Sequence, residues 1–303
     1  MMHFDFDNIQ LATLMGFFED AQGQNARHIQ IPVTPEVQCE LKSMLAKTNA
    51  KLGLPANAKQ IPTFDPAEKY SAEDPVQLSL STEYVSDLKQ VTELQNLPSS
   101  INALNSVSEL VYYYVIFTDH HNKKLYAFRR ANHFKGISKS VLTYVNGGLL
   151  TLMNSAAFRL DPDFDYLVAD QSIFILRPSG FEFTTKAHEQ ILQAATTNAD
   201  AIAASIPFID MSRISHYATK HARSARLLAA IRSRNDLHLI DQTLLSGACL
   251  QYGIQTSKNQ HGAISPDKGH EYDFLCILDR RAYTTTLIPN QQEKYEASSR
   301  IQK

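Results

Sequence analysis

The chain has 303 residues, of which 44% are hydrophobic and 20% are charged, and it contains no tryptophan. This length is enough for two domains with a substantial core, and the composition is ordinary for a soluble globular protein. No run of eighteen apolar residues occurs, so the sequence predicts no membrane-spanning helix. The start has no basic and apolar leader, and three widely spaced cysteines do not suggest a disulfide framework, so we expect a cytoplasmic protein.

The net charge of −2 conceals an uneven distribution of charged residues along the chain. Residues 1–105 hold seven Lys or Arg and thirteen Asp or Glu, a net of −6, whereas residues 106–303 hold 22 and 18, a net of +4. An acidic first third and a mildly basic remainder are compatible with two faces for two partners. Ordinary solvated surfaces give similar counts, so both interpretations stay open.

The first hundred residues predict a small N-terminal domain of mixed helices and strands. Apolar residues between Ile9 and Phe18 are spaced for a short amphipathic helix over residues 8–20. Thr34 as N-cap and Pro35 at the first helical position predict a second helix that ends near Gly53. The remaining predicted elements are strands at 27–33 and 76–80, a proline-rich connection at 53–76, and a helix from Ser81 or Thr82 to Leu97.

Small and polar residues from Pro98 to Ser106 predict a boundary between domains at 1–100 and 107–303. The second domain opens with a hairpin of strands at 110–118 and 125–130. Its predicted centre is a second hairpin, 164–168 and 173–176, joined by a turn at Asp170. After it we expect a turn at 177–180, a helix capped by Thr184 or Thr185 and running through 187–204, and helical regions at 211–232 and 237–252.

Helices and strands follow one another in uneven blocks, without regular strand–helix–strand alternation. This order predicts an α+β fold. The larger domain is expected to consist of antiparallel hairpins packed with helices.

Motifs for catalysis are mostly missing: the sequence has no glycine-rich phosphate loop, no nucleophile elbow and no Cys-x-x-Cys pair. The clustered carboxylates Asp161, Asp163, Asp165 and Asp170 could bind a hard cation. Acids in turns and at strand edges explain these positions better, because no Glu-x-Lys follows on the next strand. The sequence therefore predicts no catalytic residue, no metal and no cofactor, with a metal-dependent nuclease using Asp163, Asp165 and Asp170 as the alternative.

Basic residues form two groups that we predict to bind DNA. The first group surrounds the first hairpin and consists of Lys123, Lys124, Arg129, Arg130, Lys135 and Lys139. The second lies on the predicted helix at 211–232, where Arg213, His216, Lys220 and Arg223 fall within about 80° of one face and Arg226 lies beyond them. The predicted DNA contacts of this group are Arg213, Lys220, Arg223 and Arg226. A phosphate backbone favours such a stripe because each neutralised phosphate releases a counterion. Solvated helices carry similar charges, so the pattern alone leaves a basic face for an acidic protein partner open.

The hairpins and the tail together carry a family resemblance. The segments concerned are Tyr112-Tyr113-Tyr114, 125–130, 164–168 with Asp170 and 173–175, Phe181-Glu182, and 274–283. In this order they resemble the KwaB family, the DNA-binding subunit of the bacterial Kiwa anti-phage system. The similarity covers roughly residues 80–300.

The resemblance implies a non-enzymatic DNA-binding effector that interferes with phage DNA replication and transcription. It also implies a transmembrane partner subunit, through which the protein would lie peripherally at the inner membrane. A homodimer or higher assembly is expected on the same ground, with double-stranded DNA as the other partner.

Overall fold

A computed structural model describes residues 3–20, 22, 25–70, 74–94, 109–131, 143–146, 149–152, 160–288 and 291–297. The chain divides into a first unit, Met1–Thr63 with Ala72–Thr185, and a second unit, Phe64–Ser71 with Lys186–Lys303. Helices and antiparallel sheets occur together in the described residues, which confirms the predicted α+β class.

The first unit contains a seven-stranded sheet in which all neighbouring strands run antiparallel. Aromatic and β-branched residues dominate its central strands, as they do in strands generally. The spatial order is β2-β1-β4-β5-β8-β9-β3, where the strands are β1 (Ile9–Phe18), β2 (Arg27–Gln30), β3 (Val76–Ser79), β4 (Leu110–Asp119), β5 (Lys124–Arg130), β8 (Tyr166–Ala169) and β9 (Ser172–Ile175). A separate two-stranded sheet is formed by β6 (Thr143–Asn146) and β7 (Leu149–Leu152).

Both faces of this sheet are covered. On one face, Leu41 and Leu45 of α1 (Pro35–Leu52) join a core cluster with Tyr113, Val115 and Phe117 of β4. The other face carries a row of aromatic rings across three strands, with centroids 5.1 Å apart from Tyr114 to Phe128 and 4.7 Å apart from Phe128 to Tyr166. Phe181 of α3 (Pro178–Thr184) meets Tyr166 edge-on at 5.3 Å, so α3 closes this face.

The prediction of a helix over residues 8–20 is wrong, because this segment is strand β1. Ile9 to Phe18 pair with β4 over almost the whole strand, and Met15 to Phe18 also pair with β2. The spacing of apolar residues in this segment fits the period of a helix as well as that of a strand. Pairing with residues about a hundred positions away in the chain decides in favour of the strand.

Several other predictions of local structure are confirmed. Helix α1 begins after Thr34 with Pro35 and ends at Gly53, whose φ of 67° is left-handed. The two predicted hairpins are β4–β5 and β8–β9. The helix predicted from Ser81 or Thr82 to Leu97 is present only in part, as a short 3-10 helix, Glu83–Val85, followed by α2 (Ser86–Glu93), and the chain is extended at Leu94.

The second unit is mainly helical, and it interrupts three of the predicted helical regions, the third being 237–252, where a 3-10 turn precedes a helix that begins at Gln242. The helix expected over 187–204 is α4 (Ala187–Gln193) followed by α5 (Ala195–Ser205), and the region 211–232 is α6 (Ser212–Ala218) followed by α7 (Ala222–Arg232). Between α6 and α7 the Tyr217 and His221 rings stack with centroids 3.9 Å apart. The other elements are a 3-10 turn, Leu237–Leu239, then α8 (Gln242–Tyr252), α9 (Glu271–Leu278), β10 (Thr256–Lys258), β11 (Ile264–Pro266), β12 (Ala282–Ile288) and β13 (Gln291–Glu296).

The predicted domain boundary at 98–106 lies outside the described residues, so the division at 1–100 and 107–303 stays a prediction. The compact units have different bounds, because β1 to β3 share a sheet with β4, β5, β8 and β9.

The turn predicted at 177–180 is the first turn of helix α3, in which the N–H of Gly180 donates to the carbonyl oxygen of Arg177 at 3.1 Å. Pro178 opens α3 at a position where its missing N–H costs nothing, and Gly180 lies inside the helix. A Cβ at Gly180 would lie 2.3 Å from Cγ of Asp165, which is buried. Glycine is present here because a carboxylate occupies the space that a side chain would need.

We predict that Gly180→Ala destabilises the protein by about 1–3 kcal/mol, because a methyl group would be forced into a filled space. Gly247→Ala is the matched control, since Gly247 is also helical and a Cβ there would meet nothing within 4 Å. That change should stabilise by up to about 1 kcal/mol through helix propensity. Urea unfolding of the two variants measures both effects, and equal stabilities would contradict the role given to Gly180.

The three cysteines should differ in reactivity. Cys39 is exposed, whereas Cys249 and Cys276 are buried, and burial raises the pKa of the Cys249 thiol to about 11. Since the thiolate is the reactive form, we expect one thiol in three to react with Ellman's reagent at pH 8 in the native protein. Cys39→Ser should abolish this reaction, and all remaining thiols should react in urea. Fast reaction of the native Cys39→Ser variant would show that the buried pair is accessible.

Candidate functional site

Asp161, Asp163 and Asp165, which lie just before β8, form a buried ion network with basic residues of the first unit. Arg129 of β5 donates from Nη1 to Oδ1 of Asp165 at 2.5 Å and from Nε to Oδ2 of Asp161 at 3.0 Å. The backbone N–H of Arg130 donates to Oδ2 of Asp165 at 2.9 Å. The carbonyl oxygen of Asp165 accepts from the N–H groups of Leu176 and Arg177. Asp165 therefore connects β5 with the end of β9.

Asp163 extends this network to α1 and to the start of α3. Lys51 of α1 donates to Oδ2 of Asp163 at 2.9 Å, and Nη1 of Arg177 lies 2.7 Å from Oδ1. Burial raises the pKa of Asp163, but the hydrogen bonds from Arg177 and Lys51 outweigh burial and bring the pKa below its ordinary value. These charges are matched within the fold, which is the condition for burying them at tolerable cost.

This geometry assigns the acids to structure and does not support a metal site among them. Asp161, Asp163 and Asp165 bind protein cations, and within the described ranges no group of three or more His, Cys, Asp or Glu side chains could hold a metal ion. Asp170, the third residue of the alternative nuclease site, is exposed in the β8–β9 turn. Its Oδ2 accepts from the N–H of His3 at 2.8 Å.

The predicted basic group around the first hairpin is not a single surface cluster. Lys123 and Lys124 are exposed at the β4–β5 turn, whereas Arg130 lies at the other end of β5, roughly 20 Å away at 3.3 Å per residue. Arg130 is also exposed, and its guanidinium lies 3.8 Å from the Phe183 ring centroid. Arg129 is in the ion network, with only 12% of its side chain exposed. Lys135 and Lys139 lie outside the described residues.

The second predicted group does not share one helical face, because the helix is interrupted between Ala218 and Ala222. Arg213 lies on α6 and Lys220 in the connection, both exposed, and Lys220 Nζ is 3.2 Å from His216 Nε2. Arg223 and Arg226 lie in the first two turns of α7. Three of the predicted cations are exposed and lie within eleven residues of the chain: Arg213, Lys220 and Arg223.

Sequence reasoning missed a second buried ion cluster, centred on Arg281 in the second unit. Arg281 donates from Nε to Oδ2 of Asp279 at 2.6 Å and from Nη2 to Oε1 of Glu68 at 3.2 Å. Asp65 lies 4.0 Å from the same guanidinium. The Asp279-Arg280-Arg281 triplet was the only local signal, since Glu68 is 213 residues away in the chain.

The described residues thus define an α+β protein with one buried ion cluster in each unit, centred on Asp163 and Asp165 in the first and on Arg281 in the second. Its exposed basic side chains are the candidate functional groups, and the described residues contain no metal-ligand cluster. The family model of the Kiwa protein KwaB-like family matches residues 108–287, more than half of the chain.

The chain belongs to the KwaB-like family and is therefore a component of a Kiwa anti-phage defence system. No curated protein and no solved structure matches it. Across the described ranges, no helix combines the length and the apolar character needed to cross a membrane.

We predict that Arg129→Gln destabilises the protein by about 3–5 kcal/mol, because it leaves buried carboxylates without their partner. The neighbouring change Arg130→Gln is the matched control. Arg130 is exposed on the Phe183 ring, so this change should cost about 0.5–1 kcal/mol. Chemical unfolding of both variants gives the comparison, and equal losses would mean that the Arg129 network contributes no more than a surface contact.

Proposed function

We propose that the chain is a non-enzymatic effector that binds double-stranded DNA within a membrane-anchored Kiwa complex and so interferes with phage DNA replication and transcription. Membership of the KwaB-like family supports a role in anti-phage defence. The resemblance described above adds DNA as the target. The two buried ion clusters contribute paired charge, which leaves exposed cations as the groups available to phosphates.

The observation that carries this proposal is the exposure of Arg213, Lys220 and Arg223 within eleven residues of the second unit. Cations spaced along a surface neutralise phosphates of a duplex, which carries about one charge per 1.7 Å of axis. Such contacts position a protein on DNA without reading the bases. We therefore expect binding with little sequence preference.

The same proposal includes the assembly. We propose a homodimer or higher assembly of this chain that reaches the inner membrane through a transmembrane partner subunit. Residues 1–105 carry a net charge of −6, which is poorly suited to anionic lipid headgroups. A protein contact should therefore provide the membrane attachment.

The triple change Arg213→Gln, Lys220→Gln and Arg223→Gln should weaken binding to unrelated duplexes by a similar factor. It should also reduce the slope of log affinity against log salt by up to about three units, because up to three phosphate contacts are lost. Fluorescence anisotropy at several salt concentrations measures both quantities, with and without Mg²⁺.

Two control variants make this experiment specific. Lys123→Gln, Lys124→Gln and Arg130→Gln remove the exposed cations predicted in the first unit, and Lys47→Gln, Lys59→Gln and Lys258→Gln remove three exposed cations outside both predicted groups. Unchanged affinity and slope in the second-unit variant, with losses in the first-unit variant, would move the site to the β4–β5 hairpin. Cleavage of DNA that depends on Mg²⁺ would overturn the non-enzymatic proposal.

A further inference from the structure

Three leucines of the second unit are largely exposed, one in the 3-10 turn before α8 and two on α8 itself. Leu239, Leu244 and Leu250 expose 72%, 75% and 82% of their surface. Among the described residues, no other large apolar side chain exceeds the 49% exposure of Tyr283. A single exposed leucine is common in monomeric proteins, but three of them within twelve residues of the chain form a patch typical of an interaction site.

Helix α8 lacks the charged outer side that a helix facing water normally has. Its exposed side consists of Thr243, Leu244, Gly247, Leu250 and Gln251. At 100° per residue these positions span about 120° of the helix, and none of them is charged. The opposite side is also apolar, since Leu245 and Cys249 are buried there. Leucines on both sides, without a charged side, are typical of a helix that is covered on both sides.

The charges at the two ends of α8 indicate what covers the exposed side. At the N-terminal end, the side chain of Asp241 accepts a hydrogen bond from the N–H of Leu244. At the C-terminal end, Nζ of Lys294 in β13 lies 5.9 Å from the Tyr252 ring centroid. Two antiparallel copies of α8 therefore bring an acidic end against an end that carries a cation, while their uncharged middle parts meet. The two helix dipoles are also favourably opposed in this arrangement.

We propose that the exposed side of α8, together with Leu239, is the surface through which two copies of this chain form a twofold-symmetric dimer. The inference rests on the homodimer proposed above and specifies the surface that forms it. A twofold axis places the same patch on both partners, so the uncharged surface of one copy meets an uncharged surface of the other. With the axis near Gly247, Leu244 of one copy lies beside Leu250 of the other.

The size of the patch determines how tightly the two copies associate. Helix α8 has eleven residues and is about 16 Å long. A standard interface buries about 800 Å² per partner, with apolar contacts at the centre and polar groups at the rim. Helix α8 and the adjoining turn supply the centre of such an interface, and Asp241 and Lys294 belong to its rim. We therefore expect a dissociation constant in roughly the micromolar range.

Sedimentation equilibrium of the full chain, from about 0.5 to 50 µM, measures the association. The double change Leu244→Glu and Leu250→Glu should raise the Kd at least roughly hundredfold, because it places four carboxylates without partners in one interface. Leu94→Glu, a change of an exposed leucine in the first unit, is the matched control and should leave the Kd unchanged. Circular dichroism below the Kd checks the fold, which should be retained because both leucines of α8 are exposed in the monomer.

A charge-reversed pair of variants separates loss of association from misfolding. The double change Leu244→Lys and Leu250→Lys should also abolish self-association. An equimolar mixture of the Glu and Lys variants should associate to within roughly tenfold of the wild-type affinity, because opposite charges then face each other across the axis. A misfolded variant would not recover association in this mixture.

A cysteine near the twofold axis tests the antiparallel orientation. In a Cys39→Ser background, Gly247→Cys should form a disulfide between two copies on oxidation with copper–phenanthroline. Residues that face each other across such an axis approach the Cα separation of about 4.4–6.8 Å that a disulfide needs. A Cβ at Gly247 meets nothing within 4 Å, so the change should not disturb the fold. Ser257→Cys, an exposed change outside the patch, is the control and should give little crosslinked dimer.

The outcomes separate the α8 surface from the homodimer itself. A wild-type dimer that the Glu variant leaves unchanged, or crosslinking no faster at Gly247→Cys than at Ser257→Cys, would overturn the α8 surface while the homodimer proposal stands. A wild-type chain that is monomeric up to about 50 µM would overturn both. The DNA-binding variants change no residue of this patch, so their results are independent of these outcomes.

Discussion

The Asp165 carboxylate is the point on which the first unit depends. It binds Arg129 and the N–H of Arg130 on one strand. The backbone carbonyl oxygen of Asp165 accepts hydrogen bonds from Leu176 and Arg177, the two residues that follow β9. The same carboxylate occupies the space beside Gly180, so it also determines which residue α3 can carry there. Because an unpaired buried charge is far more costly than a paired one, removing either partner affects the sheet and the helix together.

This constraint separates the basic residues of the chain into two kinds. Arg129, Arg177 and Arg281 compensate buried carboxylates, and their charge is not available to a partner without disrupting the fold. Arg213, Lys220 and Arg223 are exposed, so their charge lies at the surface of the second unit. A count of basic residues in the sequence treats both kinds alike, so it overstates the surface charge of the β4–β5 hairpin. The proposed DNA contacts therefore rest mainly on the second unit.

The second unit also shows how an ion cluster can be built from residues that sequence patterns do not connect. Glu68 comes from a segment of eight residues that joins this unit, far from Arg281 in the chain. There it binds the Arg281 guanidinium, to which Asp279 is also bound. Opposite charges that are far apart in the sequence become paired only after these segments meet.

The sequence by itself determined the α+β class, helix α1 with its Thr34, Pro35 and Gly53 signals, and the hairpins β4–β5 and β8–β9. These features depend on local geometry, namely caps, turns and runs of β-branched and aromatic residues, which neighbouring residues are sufficient to specify. Tertiary structure decided that residues 9–18 are a strand, that the helix at 211–232 is interrupted, and that Asp163 and Asp165 bind cations of the fold. The strand and the ion pairs depend on partners up to 112 residues distant in the chain, such as Lys51 for Asp163, and no local pattern encodes such pairing.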